Sequence, residues 1–284
     1  AQPGHILIDS GYLIISEGIA EVFDARNPNS PAPLATLTPP SAVGGLALDG
    51  DALFVAGLFA GLFVYDVSDP YTPNLLAILD TPGTANGVAL APNLAFVADD
   101  DAGVQIVYVP SPGAPSLARS VATRGPAQDI SVEDGLALVA IANAGLETID
   151  VSKPGYPTSL GSVGTGSFAQ EVARFGSFAY VGTAASGVAV VDISDPSAPR
   201  VVTYLLPGQD VTDLVVRDGK AYVVANNFHI FDLANPSSPS LIGTLDPSWI
   251  LYAVDVRDGT AYLGGQLGIE VADVSNPAST TGVG

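Results

Sequence analysis

A carboxylate stands at one recurring position of this chain three times in succession: Asp129, Glu171 and Asp213. Each comes just before a short apolar run, and the same position elsewhere holds His5, Gly45, Gly87 and Ala253. Asp99-Asp100-Asp101 adds a second acidic group, with Asp210 close to the third carboxylate. Carboxylates brought within a few ångströms repel one another unless a hard cation such as Ca²⁺ lies among them. The chemistry to expect is therefore cation binding or, with a divalent ion polarising a substrate oxygen, metal-dependent hydrolysis. The same carboxylates could instead cap loop amides or stand hydrated, and no linear Ca²⁺ loop of the EF-hand type accompanies them. No cofactor is required, and Ca²⁺ is the ion the acids would admit. A second set of residues is aromatic: Phe59, Phe168, Trp249 and Tyr252 fall in or beside irregular loops. Such side chains anchor a protein partner or stack on a sugar when exposed, and otherwise fill gaps between neighbouring elements.

Composition removes other chemistries. The 284 residues include no Cys and two His, His5 and His229. A thiol nucleophile, a disulfide framework, a Ser-His-Asp relay and multi-histidine copper or haem sites are thereby disfavoured. His229, between Phe228 and Ile230, reads as a structural residue of a strand, and Phe228 as core. Neither a Gly-x-Ser-x-Gly elbow nor a phosphate-cradling glycine loop occurs. The net charge is −20 and the lysines are Lys153 and Lys220 alone. Nucleic acid and anionic lipid need clustered cations, so basic proteins, multivalent cations or salt-rich surroundings are the compatible partners. No apolar run reaches the ~20 residues of a membrane span, so no membrane insertion is expected. Ala1-Gln2-Pro3 resembles what remains after signal-peptide cleavage, which makes a secreted or cell-surface location the expectation.

The elements that must position these residues are set by a repeat. FDARNPNSP from Phe23 recurs as YDVSDPYTP, VYVPSPGAP, IDVSKPGYP, VDISDPSAP, FDLANPSSP and ADVSNPAST. Their second residues, Asp24, Asp66, Tyr108, Asp150, Asp192, Asp232 and Asp273, are spaced by 42, 42, 42, 42, 40 and 41. Within one period four short runs rich in β-branched and aromatic residues follow one another, for example Gly87–Leu90, Leu94–Ala98, Val104–Tyr108 and Ser116–Arg119. Asp-Gly pairs such as Asp134-Gly135 and Asp218-Gly219 suit the hairpin between the first and second runs. In the repeated Asp-x-Ser-Asp-Pro turn, side-chain oxygens can accept free backbone N–H groups while proline presets φ. Four strands per period predict one all-β domain over 1–284, a seven-bladed β-propeller, because radial closure removes exposed sheet edges. A solenoid of four-stranded antiparallel repeats is the less suitable alternative. Closure is expected by packing of blade 1 on blade 7, whose outer strand at Thr280–Gly284 is thin, or by another molecule completing that edge.

The V-D-[VI]-S-[DN]-P-x-x-P turn, with Ala95-Phe96-Val97-Ala98, Ala179-Tyr180-Val181-Gly182 and Ala221-Tyr222-Val223-Val224 in the second strand, resembles the LVIVD family of propellers. The resemblance implies a propeller at the surface of bacteria or archaea, or secreted by them, and implies no reaction. Departures are Tyr108 in place of Asp and Thr280 in place of the second Pro.

In a meander the first-to-second and third-to-fourth connections share one face, and the remaining loops share the other. The uniform turns then read as scaffold and the variable-loop face as the seat of function. The expected role is a non-catalytic extracellular binding or assembly module for a protein or glycan, including a surface-layer or filament subunit that self-assembles. The alternative is a metal-dependent hydrolase of lactonase type, with a divalent ion held by Asp129, Glu171 and Asp213.

Overall fold

The computed structural model describes residues 5–16, 20–39, 41–247 and 249–282. Ala1-Gln2-Pro3 and the last two residues of the expected outer strand, Val283 and Gly284, lie outside them. Seven four-stranded antiparallel sheets follow in chain order, each built from four consecutive strands. Blade 4 shows the plan: Ala127–Glu133 is innermost, then Leu136–Ile141, Gly145–Asp150 and the outer Thr158–Val163. The second strand is buried along its whole length, as in Ala52–Ala56. A neighbouring blade covers each of its faces, so it reads as an unbroken apolar run rather than an alternating one. The outer strand, such as Asn74–Leu79, is mostly exposed. Seven apolar clusters fill the seven gaps between blades, and the last one closes the wheel. It joins Ile6, Ile8 and Leu13 of blade 1 to Ala253, Tyr262 and Val271 of blade 7. Among the described residues no strand is exchanged between first and last blades, and closure rests on this packing and on hydrogen bonds between the two blades.

The proline turn is a docking device. In six blades the aspartate carboxylate accepts the N–H two residues on, at 2.9–3.0 Å: Arg26, Ser68, Ser152, Ser194, Ala234 and Ser275 donate. Blade 3 is the exception for a covalent reason. Two residues after Tyr108 stands Pro110, which has no N–H, so an aspartate there would have nothing to accept. In all seven blades the residue before a proline of the turn, Ser111 before Pro112 in blade 3 and the residue before the first proline elsewhere, then accepts an N–H three residues on, at 2.7–3.1 Å, closing a β-turn with proline at its second position.

These turns dock on the preceding blade. The Thr148 hydroxyl of blade 4 donates to Pro196 O of blade 5 at 2.6 Å. Tyr180 Oη of blade 5 donates to Pro236 O of blade 6 at 2.9 Å. Tyr262 Oη of blade 7, the counterpart of Tyr180, reaches Ala25 O of blade 1 at 3.4 Å, so a tyrosine also holds the turn across the closure, at an earlier carbonyl. Outer-strand glycine permits the approach: a Cβ on Gly243 would lie 2.4 Å from Pro277 O of the next blade.

Thr148→Val is the clean test, because it keeps the shape and removes the hydroxyl that also accepts Gly161 N at 3.0 Å. Two buried backbone groups lose their partner, so stability measured by urea unfolding is expected to drop by ~1–3 kcal/mol with an unchanged m-value. A drop below about 0.5 kcal/mol would show that these turns do not lock neighbouring blades.

Candidate functional site

The innermost strands ring a central channel, and their free edge presents it with unpaired N–H groups. Asp129 Oδ2 of blade 4 accepts Val172 N of blade 5 at 2.9 Å. Asp213 Oδ2 of blade 6 accepts Val254 N of blade 7 at 2.7 Å. Asp255 Oδ2 of blade 7 accepts Ile8 N of blade 1 at 2.9 Å. Each carboxylate thus caps the edge of the next blade, which is the capping alternative raised from sequence. Where the position is glycine, backbones approach instead: a Cβ on Gly45 would sit 3.0 Å from Gly87 Cα.

The structure separates the acidic residues expected to converge. Asp129 and Glu171 line a cavity of about 190 Å³ at the channel mouth on the variable-loop face. Asp213 lines a larger cavity of about 420 Å³, with Asp9, Asp255, Arg217 and Arg257, and His5 borders both. Asp99 is fully buried, accepting the Thr81 hydroxyl at 2.7 Å and Gly83 N at 2.9 Å. Asp100 exchanges backbone hydrogen bonds with Ala127, and Asp101 is exposed. Among the described residues no three His, Asp or Glu side chains gather at a spacing that could hold a metal ion. The expected convergence of Asp129, Glu171 and Asp213 with Asp99, Asp100 and Asp101 is not found, because hydrogen bonds turn most of these carboxylates toward backbone.

Electrostatics follow from burial. Desolvation, then the charges of Asp129 and Asp213, holds the Glu171 carboxyl well above the usual carboxylate range. Burial raises Asp129, opposed by the Val172 and Ile130 amides and by Glu171. Asp213 is pushed up to about 8 by burial, against the pull of Val254 N. Asp255 is raised by burial and pulled back by Arg217, whose guanidinium lies 3.0 Å away. Burial pushes His5 down to about 4, leaving its imidazole neutral at pH 7.

The aromatic residues divide. Phe59 is 82% exposed at the tip of a blade 2 loop. Phe168 is half-buried and lines the channel mouth. Trp249 is not a free anchor: it packs on the core between blades 6 and 7, against Gly265, and Ile250 is the exposed residue beside it. Tyr252 is half-buried at a β-bulge of the innermost strand. Phe228 and His229 are buried in blade 6, as expected of core and strand positions.

Sequence reasoning missed Asn86, Gln128 and Gln170, which also line the mouth. Gln128 and Gln170 are bulge residues, one place before the scanned carboxylates, and the bulge re-aims them. Asp255 was missed because it sits two places after the scanned Ala253. Exposed Tyr71 and Tyr156, at 56% and 81%, stand on the turn face that repetition had marked as scaffold alone.

The channel acids predict an unusual pH response. A carboxyl whose folded pKa is raised keeps its proton while the unfolded chain releases it, so stability falls as pH rises from the ordinary value toward the folded one. For Asp213 that window runs from 3.8 to about 8, and Asp129 and Glu171 act in the same direction. His5 acts oppositely between about 4 and 6.5. Asp66, Asp150 and Asp273, held low by serine hydroxyls and amides, matter in acid only. Between pH 6.5 and 9 the melting temperature is therefore expected to fall, and Asp213→Asn, which keeps the acceptor for Val254, should flatten that fall. One group can contribute up to ~1.4 kcal/mol per pH unit. Equal pH slopes in the two proteins would contradict this assignment.

Comparison with known proteins agrees with the geometry. The LVIVD repeat model matches residues 42–81, 82–123, 124–165, 166–205 and 208–246, more than half of the chain. No curated protein matches it by sequence. Among solved structures it is similar to the computationally designed Ika8 protein, at 12% identity and a TM-score of 0.72 over 99% of this chain and 86% of that one. It is also similar to the β-propeller domain of Cps50 (Swd1) from Myceliophteria thermophila, at 13% identity and a TM-score of 0.71 over 97% of this chain and 98% of that one. Sqt1 from Chaetomium thermophilum gives 17% identity and a TM-score of 0.69 over 99% and 84%. These likenesses show the fold. With five matched repeats inside a wheel of seven like blades, the chain belongs to the LVIVD-repeat family of β-propellers.

Proposed function

We propose that this propeller is a non-catalytic binding or assembly module acting outside the reducing cytosol, with the variable-loop face as its working surface. The observation that carries the reading is how the recurring polar side chains are used. Turn aspartates cap their own turns, and Asp129, Asp213 and Asp255 cap the next blade. A carboxylate committed to a structural amide is a poor metal ligand or general base, which weighs against the hydrolase alternative. The variable loops leave apolar side chains uncommitted: Phe59 and Ile250 are 82% and 59% exposed. With a net charge of −20, a protein partner of basic character fits better than an acidic one. Self-assembly is the second form of this reading. It is favoured by exposed apolar residues on outer strands, Ile78 at 54% and Leu241 at 53%.

A panel of displayed peptides and glycans tests the reading. Phe59→Ala is expected to weaken whichever interaction is found by about tenfold or more, as removal of an exposed aromatic anchor does. Tyr156→Ala, on the opposite face, should leave it unchanged. Loss with Tyr156→Ala and not with Phe59→Ala would overturn the assignment of the face. A mass by light scattering equal to one chain at high concentration would remove the self-assembly form.

A further inference from the structure

The channel mouth is lined almost wholly by acceptors. Asn86 Nδ2 donates to Ala127 O at 3.0 Å, and Gln128 Nε2 to Asp100 Oδ1 at 3.2 Å. Gln170 Nε2 donates to Asp210 Oδ1 at 2.9 Å and to Val211 O at 3.0 Å. Each amide nitrogen is thus engaged by a neighbouring loop, through both N–H groups of Gln170 and through one each of Asn86 and Gln128, which leaves the amide oxygens free. None of these three oxygens accepts a hydrogen bond from the described residues, although their residues line the cavity. The carboxyls of Asp129 and Glu171 line it with them, as do Phe168 and His5, and a cation entering would take the place of the proton that burial holds on Glu171; no Lys or Arg lines the cavity. The oxygens come from blades 3, 4 and 5, so they surround whatever enters on more than one side.

An occupant must therefore bring donors in several directions, and positive charge suits it. The volume, about 190 Å³, is several times the ~30 Å³ share of one water molecule, so a bare ion would leave most of the wall unsatisfied. A sugar offers hydroxyls that are acceptors as well as donors, and a lysine ammonium concentrates three donors at a point. A guanidinium spreads five donors around a plane and stacks on an aromatic ring, for which Phe168 is placed.

We propose that the mouth formed by Asn86, Gln128, Asp129, Phe168, Gln170 and Glu171 is a receptor for an arginine side chain on an extended segment of a partner protein. This rests on the reading of the variable-loop face as the binding surface and names the chemistry that the face recognises. It also gives the amides a role that repetition cannot: Asn86, Gln128 and Gln170 stand where blade 2 has Gly44 and blade 6 has Thr212.

The test titrates the full chain with three blocked tripeptides, Gly-Arg-Gly, Gly-Lys-Gly and Gly-citrulline-Gly, by calorimetry and NMR. Citrulline has the outline of arginine without the charge. The arginine peptide is expected to bind in the millimolar range or tighter, with citrulline weaker by about tenfold or more, since charge-assisted hydrogen bonds are the strong ones. Lysine should fall between them. Glu171→Gln and Phe168→Leu, each with an unchanged melting temperature, should each weaken the arginine peptide severalfold. Equal binding of arginine and citrulline, no arginine binding at ~10 mM, or wild-type affinity in both variants would overturn the proposal. The two levels separate cleanly. Phe59-dependent partner binding without arginine-peptide binding sinks the mouth and leaves the face, whereas arginine-peptide binding with a partner that ignores Phe59→Ala keeps the mouth and removes Phe59 as an anchor.

Discussion

The edge of the innermost strand governs this molecule. A sheet edge that faces a channel carries backbone N–H groups, and a group left without a partner there costs about as much as a lost hydrogen bond. Barrels solve the problem by pairing the edge, but a propeller blade cannot, because its neighbour meets it face on. Here the next blade back supplies a carboxylate instead, and Asp129, Asp213 and Asp255 each reach across a blade boundary to do so. Where no carboxylate is used, glycine lets the backbones close up, as at Gly45 and Gly87. Burial along the axis, and after it the charge of neighbouring carboxylates, raises the pKa values of Glu171 and Asp213. The protons held by Glu171 and Asp213 are the consequence, and they spare the wheel the repulsion of a full ring of charge.

The rim uses a second version of the same device. Proline fixes a turn whose outward carbonyls are carried to the preceding blade, where Thr148 and Tyr180 receive them. Because both devices act between neighbours, a blade repeats without any long-range instruction, and closure needs nothing beyond one more contact of each kind, at Tyr262 and Asp255. Individuality is left to the loops of the other face. There the bulges of blades 4 and 5 push Gln128 and Gln170 toward the mouth while the acids behind them keep their structural partners.

Much of this was legible in the sequence because it is local. The period, the four strands and the turns depend on residues a few places apart, and even the departure at Tyr108 follows from Pro110 once the missing N–H is considered. The site was less legible because the direction of a side chain depended on a neighbouring blade. Asp99 looked like part of an acidic cluster, yet Thr81 and Gly83 claim it from the loop behind. Trp249 looked like an anchor, and Gly265 opposite it is the signal that a large side chain fills that space. A one-residue bulge, which no periodicity announces, brings the amides of Gln128 and Gln170 to the mouth beside the carboxyls of Asp129 and Glu171.

Amide hydrogen exchange at Ile8, Val172 and Val254 tests the central claim most directly. If carboxylates cap the inner edge, these three amides exchange as slowly as paired amides of the same strands, and Asp213→Ala speeds exchange at Val254 while Val172 and Ile8 stay protected. Exchange of all three at the rate of open loop amides in the unaltered protein would contradict the account.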